Sequence, residues 1–455
     1  MVGGGFAGLA AAIALQERRH DVVLLERRGV LGGRATSFRD AMMGEDVDNG
    51  THLMIGAYSA TLDLLRRAGV GDLLFVQDNL TIDYVDDHGP SRLSCPPLAA
   101  PLHLLAGLLR LRLPWRVRWE AVRLAFAIRR GPPPRDITLA EYFRRTGQSA
   151  EARRLLWDPL ATAILNETPE RAAASLFHAV YREAFLASHA ASRLVFLKRG
   201  YGVLHERLAG YFQGRGGRVH RRALADAVEL RDGRVFQVHF AKAPESRQEI
   251  RLGQLAVSKT LAADAVVLAV PWHAVATLLP ESLRAEAPFR DLALLRSSPI
   301  VSIELWLDRV TVDRTMVGLR DSEVEWVFDK GRLYGRPGPP QHLAFIVSAA
   351  HRSLPRPNAE LVALAEAALR RYFPAMADAK VERSLVLREP DATFGCGPDA
   401  EPLRPGAATP VPGLYLAGDW TANGLPATIE GAVRSGFSAA ELVDRAFSPT
   451  SSSPQ

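Results

Sequence analysis

The chain has 455 residues, 47% hydrophobic and 23% charged, which is ordinary globular composition and enough for a large core in two or three domains. The formal net charge of +6 fits an anionic partner such as a lipid leaflet. The sequence contains no basic tract interleaved with aromatic residues, so we expect no nucleic-acid partner. Two cysteines far apart, Cys95 and Cys396, exclude a disulfide framework, and we expect no metal site.

The first predicted element is a glycine-rich turn, GGGFAG at 3–8, followed by a helix over 7–19. Its spacing satisfies G-x-G-x-x-G, in which the glycines allow a tight turn, a close pyrophosphate and helix–strand packing. The pyrophosphate would lie at the N-terminus of the helix, where free N–H groups favour an anion. The candidate cofactor contacts here are Gly3, Gly5, Phe6, Ala7 and Gly8.

The next stretch strengthens that interpretation. DVVLLE (21–26) predicts a strand that ends at Glu26, and an acidic residue about 20 residues past the glycines binds the adenosine ribose hydroxyls. A second glycine turn follows at once. The further candidate cofactor contacts are Arg27, Gly33 and Arg34.

Only Met1 and Val2 precede the glycine turn. The first strand of a doubly wound sheet is central and needs about five residues. We therefore expect further apolar residues to be encoded in frame upstream of Met1. The alternative is that a two-residue stub is sufficient.

The segment 98–130 is both basic and strongly apolar, and Pro114 interrupts it. A helix over 59–75 and strands over 76–95 precede it. Two amphipathic helices with Leu, Trp and Phe on one side and Arg on the other would suit insertion into an anionic leaflet. The alternative is an ordinary helix pair with solvated arginines. No run of about 18 apolar residues lacks charge, so no transmembrane helix is predicted.

The rest of the middle segment is predicted as two blocks. A loop over 131–136 is followed by helices over 137–190 and strands over 217–240 that turn at Asp232-Gly233. A buried strand then ends at Pro271, and 296–350 alternates apolar and polar residues as in a substrate-domain sheet. The helix AELVALAEAALRRYF (359–373) follows.

The C-terminal part supplies a second half of the cofactor site. An apolar strand over 414–417 ends at Gly418 and Asp419, which places a carboxylate beside a ribityl hydroxyl or a phosphate-bound water. The alternative for Asp419 is a turn or helix-cap residue. A helix from 428 to about 445 would direct its N–H groups at the flavin, so FAD is favoured over NAD. Its candidate contacts are Thr428, Ile429 and Ala432.

These motifs identify a resemblance that spans nearly the whole chain. The matching stretches are VDNGTHLMIGAY (47–58), RRLLWDPLATAILNETPE (153–170), EWVFDKGRL (325–333) and ATFGCGPDAEPLRPG with AGDWTANGLPATIEGAVRSG (392–436). The chain resembles the FAD-dependent amine oxidase and phytoene desaturase superfamily. Within it, the chain is similar to the hydroxysqualene dehydroxylases, the squalene-associated branch.

The resemblance implies an α/β fold with a glutathione-reductase-like, Rossmann-type FAD-binding domain and an interleaved α+β substrate domain. The expected FAD-binding segments are 1–58, 200–285 and 385–447. The expected substrate-binding segments are 59–199 and 286–384, with a helical, membrane-facing part at 98–190. Residues 448–455 are expected to be a disordered tail.

The resemblance also implies a polyprenyl or triterpenoid substrate and reduction of hydroxysqualene to squalene with loss of water. A phytoene-type desaturase, a flavin amine oxidase or an inactive lipid carrier are the alternatives. Free thiols predict a cytoplasmic protein, with peripheral contact to the inner membrane face. The oligomeric state does not follow from the sequence.

Loss of the hydroxyl as water needs an acid, and two residues are candidates. His52 would lie beside the flavin by resemblance, and the alternative is a histidine that only bonds backbone. Asp158 lies in an apolar helix, where burial would keep it protonated. The alternative for Asp158 is a helix-start residue or a structural ion pair.

Overall fold

The computed structural model describes residues 1–133, 136–243 and 256–447, so the predicted tail at 448–455 and part of the loop at 131–136 lie outside it. The α-helices are Phe6–Glu17, Ser59–Arg67, Leu102–Arg110, Trp115–Arg129, Leu139–Arg145, Ala150–Ala152, Asp158–Leu165, Ala174–Val180, His189–Ser192, Tyr201–Gln213, Trp272–Val275, Glu281–Arg284, Phe289–Leu292, Lys330–Leu333, Asn358–Tyr372 and Ile429–Phe447. Two π-helical segments are Arg153–Trp157 and Tyr181–Leu186. Short 3₁₀ turns are Gly71–Leu73, Ala276–Leu278, Pro374–Asp378 and Glu401–Leu403.

The strands form several sheets, of which a parallel sheet and a seven-stranded sheet position the site. The strands are Val23–Leu25, Ser37–Asp40, Glu45–Asp48, Met54–Ile55, Leu74–Val76, Thr81–Asp86, Gly89–Ser94, Leu194–Leu197, Arg218–His220, Ala223–Arg231, Arg234–Lys242, Val257–Ala262, Val266–Leu268, Ser297–Leu307, Met316–Leu319, Trp326–Asp329, Gln341–Val347, Val381–Phe394 and Leu414–Leu416. The predicted turn at Asp232 and Gly233 joins two of them, with both residues at positive φ.

The parallel sheet joins segments that are far apart in the sequence. Val23–Leu25 pairs with Arg218–His220, and Val266–Leu268 pairs with Leu414–Leu416, both in parallel. Such pairing needs long crossover connections, which here contain the helical region and the seven-stranded sheet. The sheet is therefore assembled from the beginning, the middle and the end of the chain.

Val2 lies between these two strand pairs. It forms parallel bridges to Leu25 on one side and Leu268 on the other. Its N–H donates to the Val267 carbonyl at 3.0 Å, and its own carbonyl accepts from Ala269 at 2.8 Å. The central position of the sheet is thus held by a single residue in regular pairing, where the sequence predicted the need for a full strand.

The first helix, Phe6–Glu17, is buried from Phe6 to Leu15. A helix that is apolar on all sides must be covered on all sides. The parallel sheet covers one side, and the C-terminal helix Ile429–Phe447 packs against another. Gly436 permits this approach, because a Cβ added there would lie 2.3 Å from the Ala7 carbonyl oxygen.

The seven-stranded sheet has a helix packed on one of its faces. Its order begins at Val381–Phe394, continues through Ser297–Leu307 and ends with the hairpin of Thr81–Asp86 and Gly89–Ser94. Helix Asn358–Tyr372 packs with one face of the sheet in an apolar cluster. The domain boundary predicted at residue 385 falls inside strand Val381–Phe394, which pairs along its length with Ser297–Leu307.

The predicted helical region begins with two helices that flank Pro114, Leu102–Arg110 and Trp115–Arg129. Their inner sides are buried, whereas several large apolar side chains on the outer sides are exposed. Within the described ranges, no helix is long and apolar enough to cross a membrane.

The contact at Gly436 predicts a stability effect. Gly436→Ala should lower the free energy of unfolding by about 1–3 kcal/mol, because the added methyl group overpacks the two-helix contact. Thermal and urea unfolding monitored by circular dichroism measure this change.

The matched control is Gly210→Ala, in helix Tyr201–Gln213, where an added Cβ meets nothing within 4 Å. This change should raise stability by up to about 1 kcal/mol through helix propensity. Equal effects of the two substitutions would contradict the packing role of Gly436.

Candidate active site

A single cavity of about 640 Å³ extends from the parallel sheet to the seven-stranded sheet. This volume lies within the range of about 300–1,000 Å³ found for small-molecule sites. One end is lined by the glycine turn and the loop after Leu414–Leu416, and the other end by apolar side chains of the sheet and helices.

The glycine turn presents the N-terminus of the first helix to the cavity. Gly5 is the N-cap, without a side-chain cap, and its carbonyl accepts from Leu9 at 2.9 Å. The N–H groups of Phe6 and Ala7 precede that first intrahelical bond and are left for an anion. A Cβ added at Gly5 would meet no atom closer than 3.8 Å, so this side of the turn is open.

Gly3 and Gly8 serve the turn in a different way. Gly3 has φ of +106°, and a Cβ at Gly8 would lie 1.9 Å from the Gly3 carbonyl oxygen. These glycines therefore allow the helix to begin directly against the sheet. Gly3 lines the cavity, whereas Gly8 packs against the Gly3 carbonyl and is not among the lining residues.

Glu26 orders the same turn from the tip of strand Val23–Leu25. Its carboxylate accepts the Gly4 N–H at 2.8 Å through Oε2 and the Arg28 N–H at 2.7 Å through Oε1. The side chain is 5% exposed and lines the cavity. Each oxygen keeps a further acceptor site, which is the chemistry required to bind ribose hydroxyls.

Arg34 connects the N-terminal and C-terminal halves of the site. Its guanidinium pairs with the Asp419 carboxylate and donates to the Ala392 carbonyl at 2.9 Å. Gly33, with φ of +60°, brings Arg34 into this position. Arg34, Gly33, Gly418 and Asp419 all line the cavity, as does Arg27. The glycine turns at the two ends of the chain thus enclose one site.

Arg404, which sequence reasoning missed, holds the loop that carries Asp419. Its side chain is fully buried and donates to the carbonyls of Asp419, Trp420 and Thr421. The Trp420 indole in turn donates to the Val270 carbonyl at 3.0 Å. The only signal in the sequence was an arginine between prolines in PLRPG, which carries no pattern of its own.

The C-terminal helix begins at the cavity, as predicted. Thr428 caps it, since its Oγ1 accepts the Gly431 N–H at 3.0 Å. Thr428, Ile429 and Ala432 line the cavity. The N-terminal end of this helix carries a partial positive charge, which stabilises negative charge on a bound ring.

Glu430 links the C-terminal helix to helix Ser59–Arg67. Its carboxylate accepts the N–H groups of Ala60 at 3.0 Å and Thr61 at 2.9 Å. It therefore caps helix Ser59–Arg67, while Arg434 pairs with it at 2.8 Å. No pattern in the sequence indicates that this glutamate joins two helices.

The VDNGTH segment is fixed by the buried carboxylate of Asp48. Asp48 accepts from the Lys330 ammonium at 2.7 Å and from the Tyr334 hydroxyl at 2.6 Å. Burial alone would raise the pKa of Asp48, but the charge of Lys330 lowers it overall. This ion pair attaches the segment that lines the cavity to the seven-stranded sheet.

His52 lies on the cavity wall in that segment, where the resemblance placed it. Its ring packs edge-on against Tyr201 with centroids 5.2 Å apart, and Nε2 lies 3.5 Å from the Asn49 side-chain oxygen. Burial lowers the pKa of His52 to about 4. The imidazole is therefore neutral near pH 7 and holds no extra proton to transfer.

Asp158 does not lie on the cavity. It begins helix Asp158–Leu165 and accepts from Arg153 at 3.0 and 3.1 Å. Burial raises its pKa despite the arginine, and about a third of the side chain is exposed. The structure thus places the Asp158 carboxylate in an ion pair with Arg153 and off the cavity lining, whereas its catalytic role stays a prediction.

Apolar side chains line the end of the cavity away from the glycine turns. Sheet and helix residues face each other across it, and the lining includes Ile82, Leu160, Ile164, Phe185, Trp326, Phe328 and Ile346. We call this part the apolar arm. Its composition suits an apolar ligand.

The cavity as a whole fits FAD. An open helix N-terminus is present for the pyrophosphate, a carboxylate for the ribose, and a second helix N-terminus for the ring. No group of three or more His, Cys, Asp or Glu side chains among the described residues is placed to hold a metal ion. Cys95 and Cys396 are both buried free thiols.

Substitution of Glu26 tests the ribose end. Glu26→Gln should weaken FAD binding by about tenfold to a hundredfold, the effect of losing charged hydrogen bonds worth about 1.5–3 kcal/mol. Titration of the apoprotein, followed by quenching of flavin fluorescence, measures the affinity. Glu382→Gln, at an exposed strand position, is the matched control. Equal affinity of the two variants would remove Glu26 from the site.

The neutral His52 predicts a pH dependence of stability. An unfolded histidine binds a proton near pH 6.5, whereas folded His52 binds one only near pH 4. As the pH drops from 6.5 to 4, the unfolded state therefore binds a proton that the folded state does not. The free energy of unfolding should fall over this range by as much as about 3 kcal/mol. Urea unfolding at several pH values measures the slope.

His205 is buried and its pKa is also lowered to about 4, so it contributes to the same slope. His52→Gln should flatten the dependence in part, and combining it with His205→Gln should flatten it further. An unaltered slope in His52→Gln would contradict the assignment of a neutral imidazole.

The comparisons with known proteins agree with this geometry. The chain is 30% identical over 450 residues to hydroxysqualene dehydroxylase of Sinorhizobium fredii, covering 97% of both chains. It is 28% identical to the 15-cis-phytoene desaturase of Narcissus pseudonarcissus, covering 97% of this chain and 78% of that one.

Solved structures match the fold. An oxidoreductase from Methanosarcina mazei superposes with a TM-score of 0.73 at 18% identity, covering 97% of this chain and 99% of that one. Cyclohexylamine oxidase from Brevibacterium oxydans superposes with a TM-score of 0.69 at 15% identity, covering 98% of each.

The family defined as flavin containing amine oxidoreductase matches residues 6–444, which include both ends of the cavity. With the site geometry, this match makes FAD the cofactor. The chain belongs to the flavin containing amine oxidoreductase family and is an FAD-dependent oxidoreductase.

Proposed function

We propose that this enzyme reduces hydroxysqualene to squalene. A hydride replaces the hydroxyl group on carbon, and the hydroxyl leaves with a proton as water. Bound FAD, in its reduced form, supplies the hydride. The observation that carries the proposal is the full-length similarity to the hydroxysqualene dehydroxylase of Sinorhizobium fredii, combined with the apolar arm behind the flavin end of the cavity.

The apolar arm would hold the hydrocarbon chain and set its register. Residues of the sheet, such as Trp326 and Phe328, face helix residues such as Leu160 and Ile164 across it. An extended polyprenyl chain gains about 25 cal/mol for each Å² of apolar surface that it buries there. The same wall keeps water away from a carbon that develops positive charge as the hydroxyl leaves.

His52 is proposed to orient the hydroxyl group. Because its pKa is lowered to about 4, the neutral ring can donate one N–H hydrogen bond but carries no proton in excess. This role differs from the general acid predicted from the sequence. Its position on the cavity wall, beside the loop that bears Arg34, supports this proposed role.

A phytoene-type desaturase is the second candidate. The similarity to the desaturase of Narcissus pseudonarcissus spans 97% of this chain, and the apolar arm suits a carotenoid precursor equally well. The two reactions run in opposite directions, since a desaturase removes hydrogen from its substrate and passes it to oxidised flavin. The direction of electron flow therefore separates them.

We further propose a polyprenoid substrate delivered from a membrane, and a cytoplasmic location at the inner membrane face. These proposals rest on the apolar cavity and on the exposed apolar side chains of helices Leu102–Arg110 and Trp115–Arg129.

An anaerobic assay tests the reaction. The purified enzyme with reduced FAD should convert hydroxysqualene to squalene, detected by mass spectrometry, while the flavin becomes oxidised in equal amount. Absence of squalene, together with dehydrogenation of phytoene by the oxidised enzyme, would reject the proposal in favour of a desaturase.

A substitution that blocks the apolar arm tests where the substrate binds. Ala163→Trp fills space at a cavity-lining position whose side chain is exposed, so the change needs no core rearrangement. Turnover should fall at least about tenfold with FAD affinity unchanged, because the substitution acts on the substrate end of the cavity. Unchanged turnover would place the substrate elsewhere.

A further inference from the structure

The outer sides of helices Leu102–Arg110 and Trp115–Arg129 carry an unusual set of exposed apolar side chains. Leu109, Trp115, Trp119 and Phe126 are 60–72% exposed, and Leu102 is 54% exposed. In the first helix, Leu102 and Leu109 are seven residues apart. In the second, Trp115 and Trp119 are four residues apart, and Trp119 and Phe126 are seven apart. These spacings place the side chains on one face of each helix. We call this set, with the arginines described next, the helix-pair surface. Contiguous exposed apolar groups of this size mark an interaction site.

Basic residues surround these apolar groups. The segment 98–130 contains seven arginines and one acidic residue, Glu120. Arg110, Arg116, Arg129 and Arg130 are exposed, and no carboxylate of the described residues lies within ion-pair distance of them. Arg112 differs, since it pairs with Asp86 at 2.6 Å. The unpaired arginines leave a local positive charge to be neutralised by a partner.

An anionic lipid leaflet fits both properties. Tryptophan rings favour the interface between headgroups and acyl chains, and arginine extends its charge toward phosphate while its stem covers apolar surface. A second copy of this chain fits less well, because a symmetric contact would bring two arginine-rich faces together. Such a contact would cover the apolar side chains, but it would not neutralise the positive charge.

The inner sides of the same helices lie behind the apolar arm. Helix Trp115–Arg129 contacts the π-helical segment Tyr181–Leu186, whose Phe185 lines the cavity. The buried His178 ring bonds the Ile128 carbonyl at 2.7 Å, which ties the next helix to the same position. Helix Trp115–Arg129 and the π-helical segment that it contacts therefore lie between the helix-pair surface and the cavity.

We propose that the helix-pair surface docks the enzyme on an anionic membrane, with Trp115 and Trp119 inserted at the headgroup boundary. The helices lie in the plane of the leaflet and do not cross it. Docking places the helices that lie behind the apolar arm against the lipid phase. Docking on this surface specifies the membrane location proposed above and does not depend on the proposed reaction, whereas its use to take up substrate rests on that proposed function.

Vesicle flotation with the holoenzyme tests the docking. The enzyme should float with vesicles of phosphatidylcholine and phosphatidylglycerol in equal amounts, much less with phosphatidylcholine alone, and less at high salt. Trp115→Glu combined with Trp119→Glu should reduce the bound fraction at least about tenfold, because both insertion residues are lost. Failure of the native enzyme to bind the anionic vesicles would overturn the proposal.

A second variant keeps the test independent of folding. Arg116→Glu combined with Arg129→Glu and Arg130→Glu changes only exposed side chains, and each arginine near an anionic surface contributes about fivefold to binding. This variant should also lose flotation while FAD content and thermal unfolding stay native. The matched control, Leu294→Glu with Arg352→Glu, alters exposed residues outside the helix-pair surface and should float like the native enzyme.

Light scattering separates a membrane from a second copy. A native dimer that Trp115→Glu with Trp119→Glu converts to a monomer, without binding of the native enzyme to either vesicle, would assign the surface to self-association and overturn the proposal. Flotation uses no substrate, so loss of vesicle binding would leave the proposed reaction standing, and absence of squalene in the assay would leave docking standing.

Discussion

The hydrogen bonds on both sides of Val2 are the constraint on which the rest of this structure depends. They join a strand pair from residues 23–25 and 218–220 to a pair from 266–268 and 414–416. The glycine turn leaves the sheet at this point, and the first helix begins over it. The open helix N-terminus therefore points into the gap that both strand pairs border, which is where a pyrophosphate is best stabilised.

Several charged contacts then close the site around that centre. Glu26 fixes the turn, Arg34 joins it to Asp419, and the buried pair of Asp48 and Lys330 attaches the VDNGTH segment to the seven-stranded sheet. Each buried charge has a partner, as is required when water is excluded. The result is a polar end that fits a cofactor, continuous with an arm lined by apolar side chains. Neither end belongs to one continuous segment of the chain.

The glycine turns, Glu26, Asp419 and the start of the C-terminal helix could be predicted because local patterns determine them. A G-x-G-x-x-G turn needs its glycines wherever it occurs, and strand ends can be recognised from apolar runs. Arg404, Glu430 and Lys330 could not be predicted, because their roles depend on partners that only the tertiary fold brings close. The ion-pair partner of Asp158 could not be identified for the same reason, because Arg153 lies five residues away on a π-helical segment that periodicity does not reveal.

The late position of Asp419 and of helix Ile429–Phe447 in the sequence has a consequence for biosynthesis. A nascent chain released as far as the seven-stranded sheet has the glycine turn and Glu26, but it still lacks the loop and helix that complete the opposite wall. The apolar surface of the first helix is also uncovered until then. The cavity is therefore complete only once the segment from Asp419 through helix Ile429–Phe447 has been made, and until then the chain exposes apolar surface of the kind that promotes aggregation.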